Sequence, residues 1–285
     1  MVPAPRAVLS SCFGTMRPIN DVTHGRMGDR LSRLIAYRTL VKYLVLKDIK
    51  VKSRGTYLGV AWTLMNPLIK IVMYFVVFQH IFRVAVPNFL AFFLVGLLLW
   101  TFFARSITAA ATCVIDNDAM VKKAAFPLEI LPVSGVLYHL FNHVVAFGLA
   151  VPLMLLFWGG RLSWNLLWTV VILVGFVAFS LALSLLLSTV GVFFRDTRDI
   201  LEVALPVLFW GTPIFYDLPM APAFLRPALM ANPLSPFIEA TRAAILEAHG
   251  PSWTELGLMV FWIVVTAISG AWAFTRFAPR FAEEN

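Results

Sequence analysis

Apolar blocks separated by short polar breaks set the pattern of this chain. The blocks run for roughly 20 residues or more, the length that carries a helix across about 30 Å of hydrocarbon. They predict six transmembrane helices: about Tyr57–Phe82, Asn88–Cys113, Glu129–Trp158, Trp164–Phe194, a shorter fifth at Ile200–Tyr216, and Trp253–Phe274. A membrane barrel needs alternating segments of about ten residues, and the continuous runs exclude it. The expected fold is therefore an all-α integral membrane protein.

Two regions depart from simple spanning. From Leu31 to Arg54, Leu34, Tyr37, Val41, Leu44 and Val45 recur at helical intervals, with Arg33, Arg38, Lys42, Lys47, Lys50 and Lys52 between them. A basic amphipathic helix of this kind lies in the membrane interface. Between Pro206 and Pro251 the chain is apolar but broken by Gly211, Pro213, Pro219, Pro222, Pro227, Pro233 and Pro236. No uninterrupted piece after Tyr216 is long enough to cross. Such backbone is allowed at membrane depth only where protein or water covers it, which predicts re-entrant outer helices between spans five and six. The expected organisation is a basic cytoplasmic tail at 1–30, the interface helix at 31–56, a transmembrane domain at 57–277 and a cytoplasmic tail at 278–285.

Composition agrees with a bilayer protein: 60% of the 285 residues are hydrophobic and 13% charged, with mean hydropathy +0.83. Soluble domains are nearer half apolar and a quarter charged. The first 30 residues hold no apolar stretch of signal-peptide length, which predicts no cleaved export signal. The net charge is +8, and eleven of the 23 lysines and arginines precede Thr56. In so apolar a chain that crowding points to anionic lipid, not nucleic acid. With the amino end in the cytoplasm, the inside also collects Lys122, Lys123, Arg195, Arg198, Arg276 and Arg280; the outside holds only Arg83, Arg161, Arg226 and Arg242. The positive-inside rule then puts both termini in the cytoplasm. Cys12 and Cys113 have no metal or redox spacing and read as free cytoplasmic thiols.

Charges inside spans come first as candidate chemistry, because each is costly there. Lys70 lies near the middle of the first span and shares a helix face with Thr63, Asn66 and Tyr74. The stripe either faces a substrate path, with Lys70 meeting an anion, or Lys70 is structural, satisfied by a neighbouring helix or snorkelling to the interface. Arg105, nearer the inner end of the second span, either serves a site or snorkels. His139 and His143 are four apart and flank Asn142. That spacing can hold zinc, but Leu140 stands where a zinc protease needs Glu, so polar lining of a cavity is favoured and no metal is expected. Trp100, Phe102 and Phe103, with Trp210, Phe215 and Tyr216, form aromatic clusters. Most aromatics pack or face lipid, while some can stack on sugar rings along a pathway. The stretch from Asp116 to Pro127 reads as a short cytoplasmic helix, capped at its start by Asp116 or Asn117 and stopped by Pro127.

The chain has no phosphate-binding Gly-x-x-x-x-Gly-Lys-Ser/Thr loop. It also lacks a Gly-x-Ser-x-Gly nucleophile motif. Active transport therefore needs energy from another chain or an ion gradient.

Four stretches, in this order on this topology, resemble the permease subunits of ABC-2 type exporters for cell-surface polysaccharides, the O-antigen, capsule and teichoic-acid group. They are Leu46-Lys47-Asp48-Ile49-Lys50-Val51-Lys52 leading into Tyr57-Leu58-Gly59-Val60-Ala61-Trp62 and Asn66-Pro67-Leu68; Met120-Val121-Lys122-Lys123 before Phe126-Pro127-Leu128-Glu129-Ile130-Leu131-Pro132; Phe194-Arg195-Asp196-Thr197-Arg198-Asp199-Ile200 followed by Trp210-Gly211-Thr212-Pro213-Ile214-Phe215-Tyr216; and Asn232-Pro233-Leu234-Ser235-Pro236. The similarity covers roughly Tyr37 to Phe277.

The resemblance implies a homodimer in the bacterial inner membrane, each copy paired with a separate ABC ATPase subunit. ATP and Mg would be bound by that partner, and this chain would be no enzyme and carry no cofactor. Lys47, Lys50, Asn117, Met120, Lys122, Lys123 and Phe126 would couple to the ATPase. The cargo would be a glycan on a polyprenyl pyrophosphate lipid, passing Asn66, Lys70, Tyr74, Trp100, Phe102, Phe103, His139, Asn142, His143, Trp210, Phe215 and Tyr216. Lys70 stands where the family has an apolar or small residue, and the basic tail before Leu31 lies outside the family pattern. Two other readings stay open: an exporter of small amphipathic molecules, and a membrane-embedded enzyme on lipid-linked sugars using His139 or His143.

Overall fold

The computed structural model describes residues 36–53, 65, 68–70, 72–74, 76–77, 88–121, 126–157, 162–194, 196–278 and 281. The amino-terminal tail and most of the expected first span lie outside them. Among the described residues all regular structure is helical. An amphipathic helix, α1 (Arg38–Ser53), is followed by α2 (Phe89–Thr112), a 3-10 turn at Ile115–Asn117, the short α3 (Asp118–Val121), α4 (Ile130–Phe157) and α5 (Leu166–Phe193). Then come α6 (Thr197–Trp210), α7 (Arg226–Ala231), α8 (Ser235–Arg242), a π turn at Ala243–Glu247, and α9 (Trp253–Phe277).

Four of these, α2, α4, α5 and α9, are long and apolar enough to cross a bilayer. They match the second, third, fourth and sixth expected spans. The fifth expected span differs from its prediction. Its helix starts earlier, at Thr197, and stops at Trp210 instead of running to Tyr216. At 1.5 Å per residue, α6 is roughly 21 Å long, short of the hydrocarbon thickness. Gly211 and Pro213 follow at once and prevent its continuation.

Helix α2 is the centre of the bundle. In its most apolar stretch 67% is buried inside the chain, against 22–33% in the other three long helices, which show more surface outward. It packs against α4, α5, α6 and α8, while α5 also packs on α9. Two close crossings depend on glycine. A Cβ on Gly191 would collide with the Ala111 carbonyl, and one on Gly270 with the Ala182 carbonyl. Lipid supplies little drive for helix association, so such small residues let backbones approach and gain dispersion contact. A Ser252–Glu255 capping box starts α9.

Candidate functional site

The candidate residues fall at two ends of the bundle. One, the platform end, carries the last turns of α2, α5 and α9 and the first turns of α4 and α6. There α1 lies against α4 and seats Val41 and Leu44 among Val114, Val121, Phe126, Ile130, Leu131, Val192, Phe274 and Phe281. The polar face of α1 stays outside, with Lys47 and Lys50 exposed. Burial pushes the Asp48 carboxyl above its ordinary value, with Lys47 opposing the shift.

Of the short helix expected over 116–127, the described residues hold the 3-10 turn and α3 (Asp118–Val121), and the polar residues at its start turn backward. Asp116 accepts from the Thr112 hydroxyl at 2.7 Å, and the Asn117 amide donates to the Cys113 carbonyl at 2.8 Å. Both side chains finish the preceding span instead of capping the next helix. Cys113 is a free, buried thiol. Met120 is half-buried and Phe126 buried in the platform core, joining α1 to residues 118–121 and 126–131. Lys122 and Lys123 lie outside the described residues.

Beside this platform an open groove of about 470 Å³ is lined by Ala104, Arg105, Thr108, Ala109, Thr112, His139, Arg198 and Glu202. It joins the last turns of α2 to α4 and the first turns of α6. Arg198 faces Glu202 at 3.5 Å, both well exposed. His139 also meets the Tyr138 ring at 5.0 Å.

The two histidines part company. His143 is buried among Phe102 and Phe147, at 5.2 and 5.3 Å between ring centroids. Among the described residues no cluster of ligands capable of holding a metal occurs. Asn142 donates to the Tyr138 carbonyl at 2.8 Å, within its own helix. Phe102 and Phe103 are buried, stacking into Phe176 and Phe179 of α5. Trp100 is half-buried and meets Phe209 at 5.3 Å. Lys70 is exposed, and Tyr74 packs edge-on against Phe93 at 4.7 Å. Thr63 and Asn66 lie outside the described residues.

At the opposite end the broken segment folds back on the bundle. Trp210 is exposed, Phe215 lies against it at 4.8 Å, and the Tyr216 hydroxyl donates to the Trp210 carbonyl at 3.2 Å. Asn232 ties this turn to the next motif. Its amide donates to the Gly211 carbonyl and the Thr212 hydroxyl, both at 2.9 Å, while its oxygen accepts from the Leu234 amide. Arg242, expected among the outward cations, is only 1% exposed. It donates to the carbonyls of Phe92 (3.1 Å) and Ile214 (2.7 Å) and pairs with Glu239 at 2.9 Å. Sequence reasoning missed this arginine as an organising residue. Its place in an apolar, proline-broken stretch was the available signal, since a cation there has to find partners.

The long apolar helices, the amphipathic platform helix and the segment folded back between α6 and α9 define a membrane-embedded helical protein of the transporter type. The profile of the ABC-2 type transporter family matches residues 39–246, and the chain belongs to that family. It is 32% identical over 256 residues to the O-antigen export system permease protein RfbA of Myxococcus xanthus, covering 88% of this chain and 96% of the relative. A Klebsiella pneumoniae protein of the same name is 28% identical, with 86% and 94% covered. The polysialic acid transport protein KpsM of Escherichia coli is 21% identical, with 82% and 91% covered.

Proposed function

We propose that this chain is the membrane-spanning permease of an ATP-driven exporter that moves a polyprenyl-pyrophosphate-linked polysaccharide from the cytoplasm to the periplasm or cell surface. The carrying observation is the extent of the match: an O-antigen export permease aligns over 88% of this chain and 96% of its own length. On this reading the chain crosses the inner membrane six times, α6 and the turn after it together making the fifth crossing, with both termini in the cytoplasm, and works as a homodimer. Its domain runs from 57 to 277, behind the tail at 1–30 and interface helix at 31–56, with a cytoplasmic tail at 278–285. A separate ABC ATPase, present in two copies, binds ATP and Mg, and this chain carries no cofactor of its own.

The platform is the natural dock for that ATPase. Lys47 and Lys50 on α1, with Asn117, Met120, Lys122, Lys123 and Phe126, would carry its stroke into α2 and α4. Shared packing supports this role, because α1 and Met120, Val121, Phe126, Leu128, Ile130 and Leu131 bury their apolar side chains in one cluster. Asn66, Lys70, Tyr74, Trp100, His139, Asn142, Trp210, Phe215 and Tyr216 would line the glycan path. Phe102, Phe103 and His143 would stand behind it and hold the wall. The re-entrant α7 and α8 would help close the outer side.

Coexpression with candidate ABC ATPase subunits from the same organism tests the reading. A stable complex whose hydrolysis rises with lipid-linked glycan is expected, together with intracellular glycan on deletion of the permease. Failure to associate with any ATPase would overturn it.

A further inference from the structure

The groove beside the platform contains more positive than negative charge. Arg105 and Arg198 both line it, against the single carboxylate of Glu202. Glu202 already faces Arg198, but that pair is exposed, at 64% and 62%, and spans 3.5 Å. An exposed pair of this sort is worth little and can open at small cost. Arg105 is exposed and, among the described residues, has no ion-pair partner. It lies seven residues before the end of α2, about 10 Å in from that end. A cation so placed in a spanning helix is a functional candidate by default.

The floor of the groove is small and apolar at Ala104 and Ala109. The hydroxyls of Thr108 and Thr112 donate elsewhere, to the Ala104 carbonyl and the Asp116 carboxylate, so the arginines are the groove's strong donors. Next to the groove, α6 exposes Ile200, Val203 and Val207 at intervals of three and four. That spacing forms one apolar strip along the helix. A charged hollow at one end and an apolar strip leading away match an amphiphile with an anionic head and a long hydrocarbon tail. Guanidinium forks suit phosphate oxygens because they donate in parallel pairs.

We propose that this groove binds the pyrophosphate head of the lipid-linked cargo, with Arg105 and Arg198 as its donors and the apolar strip of α6 carrying the polyprenyl chain. The proposal rests on the export function above and adds the residues that would recognise the carrier lipid. A pyrophosphate, with more charge than a phosphodiester, fits two guanidiniums better than an ordinary phospholipid head does.

The test measures binding of a fluorescent short-chain polyprenyl pyrophosphate to the full chain, complexed with its ATPase, in phosphatidylcholine nanodiscs. Arg105→Gln and Arg198→Gln are each expected to weaken binding about tenfold, the scale of a lost charged hydrogen bond. Arg105→Lys should fall between, keeping charge but not the fork. Unchanged melting of the purified variants would show that the loss is local. Added phosphatidylglycerol should leave the probe bound. Wild-type binding by the double Gln variant, or equal displacement by phosphatidylglycerol, would overturn the assignment. If glycan export and ATPase pairing hold while binding ignores both arginines, the groove proposal alone fails. Loss of ATPase pairing in the wild type would instead remove the export reading.

Discussion

The guanidinium carbon of Arg242 lies 3.4 Å from the centroid of the Phe92 ring, and its Nε donates to the Phe92 carbonyl at 3.1 Å. A residue late in the proline-broken segment thus grips the first turns of the central helix. Its other nitrogens hold Ile214 and Glu239. Gly96 makes room, since a Cβ there would stand 3.1 Å from the Arg242 Nη2 and 3.2 Å from the Ile214 Cα.

Arg242→Met should destabilise the protein by about 3–5 kcal/mol, because it strands the Glu239 carboxylate and two carbonyls in a buried site. Combining it with Glu239→Gln should recover part of that loss. Thermal unfolding in detergent checks both, and a double variant no better than Arg242→Met would contradict the pairing.

Asn232→Ala removes two hydrogen bonds to the Gly211–Thr212 turn and a third that satisfies the Leu234 amide. Leaving the Leu234 amide unsatisfied predicts a loss of about 1–3 kcal/mol. Asn232→Asp keeps the acceptor but loses both donors, so it should also melt lower than the wild type.

Gly191→Ala should be costly and Gly148→Ala benign. The first forces a Cβ into the Ala111 backbone, whereas nothing lies within 4 Å of the second. Overpacking of this kind costs about 1–3 kcal/mol. Parallel melting curves of the two variants give the comparison.

A pH handle outside the spans is His249. Its ring nitrogens meet the Gly250 carbonyl at 2.9 Å and the Glu247 carboxylate at 2.7 Å. Both contacts favour the protonated ring, and they raise its pKa above the ordinary histidine value, the carbonyl contributing first. The stabilisation is therefore complete below the ordinary histidine range and is lost as pH rises through the folded-state value. Histidine-resolved NMR titration should show a downward shift of the His249 midpoint in Glu247→Gln. No shift would mean that the carboxylate contributes nothing.

Charge reversal at Lys47 probes the platform. The side chain is exposed on α1, so Lys47→Glu should leave melting within about 0.5 kcal/mol of the wild type. Recovery of the ATPase in co-purification should nevertheless drop. Equal recovery from both proteins would remove Lys47 from the docking surface.

Much of the bundle was legible because bilayer crossing imposes a local rule. A run of apolar residues long enough to span must be helical, whatever surrounds it, and α2, α4, α5 and α9 follow from that rule. The broken region between α6 and α9 was legible only as an exception, through its prolines. Its ties were not, since Asn232 reaches back to Thr212 and Arg242 to Phe92, partners that no local pattern links.

The histidines show the same limit at closer range. Four residues along a helix is a rotation of about 40° past a full turn, and at the edge of a packed face that angle decides the environment. His139 reaches the groove, while His143 enters the aromatic core. Hydrophobic periodicity by itself therefore determined that the chain lives in a membrane as helices, with a basic amphipathic helix before them. Which polar side chains meet in the groove, and which are sealed inside, was decided only when helices distant in sequence packed together, because burial and charge pairing depend on neighbours that the local pattern does not specify.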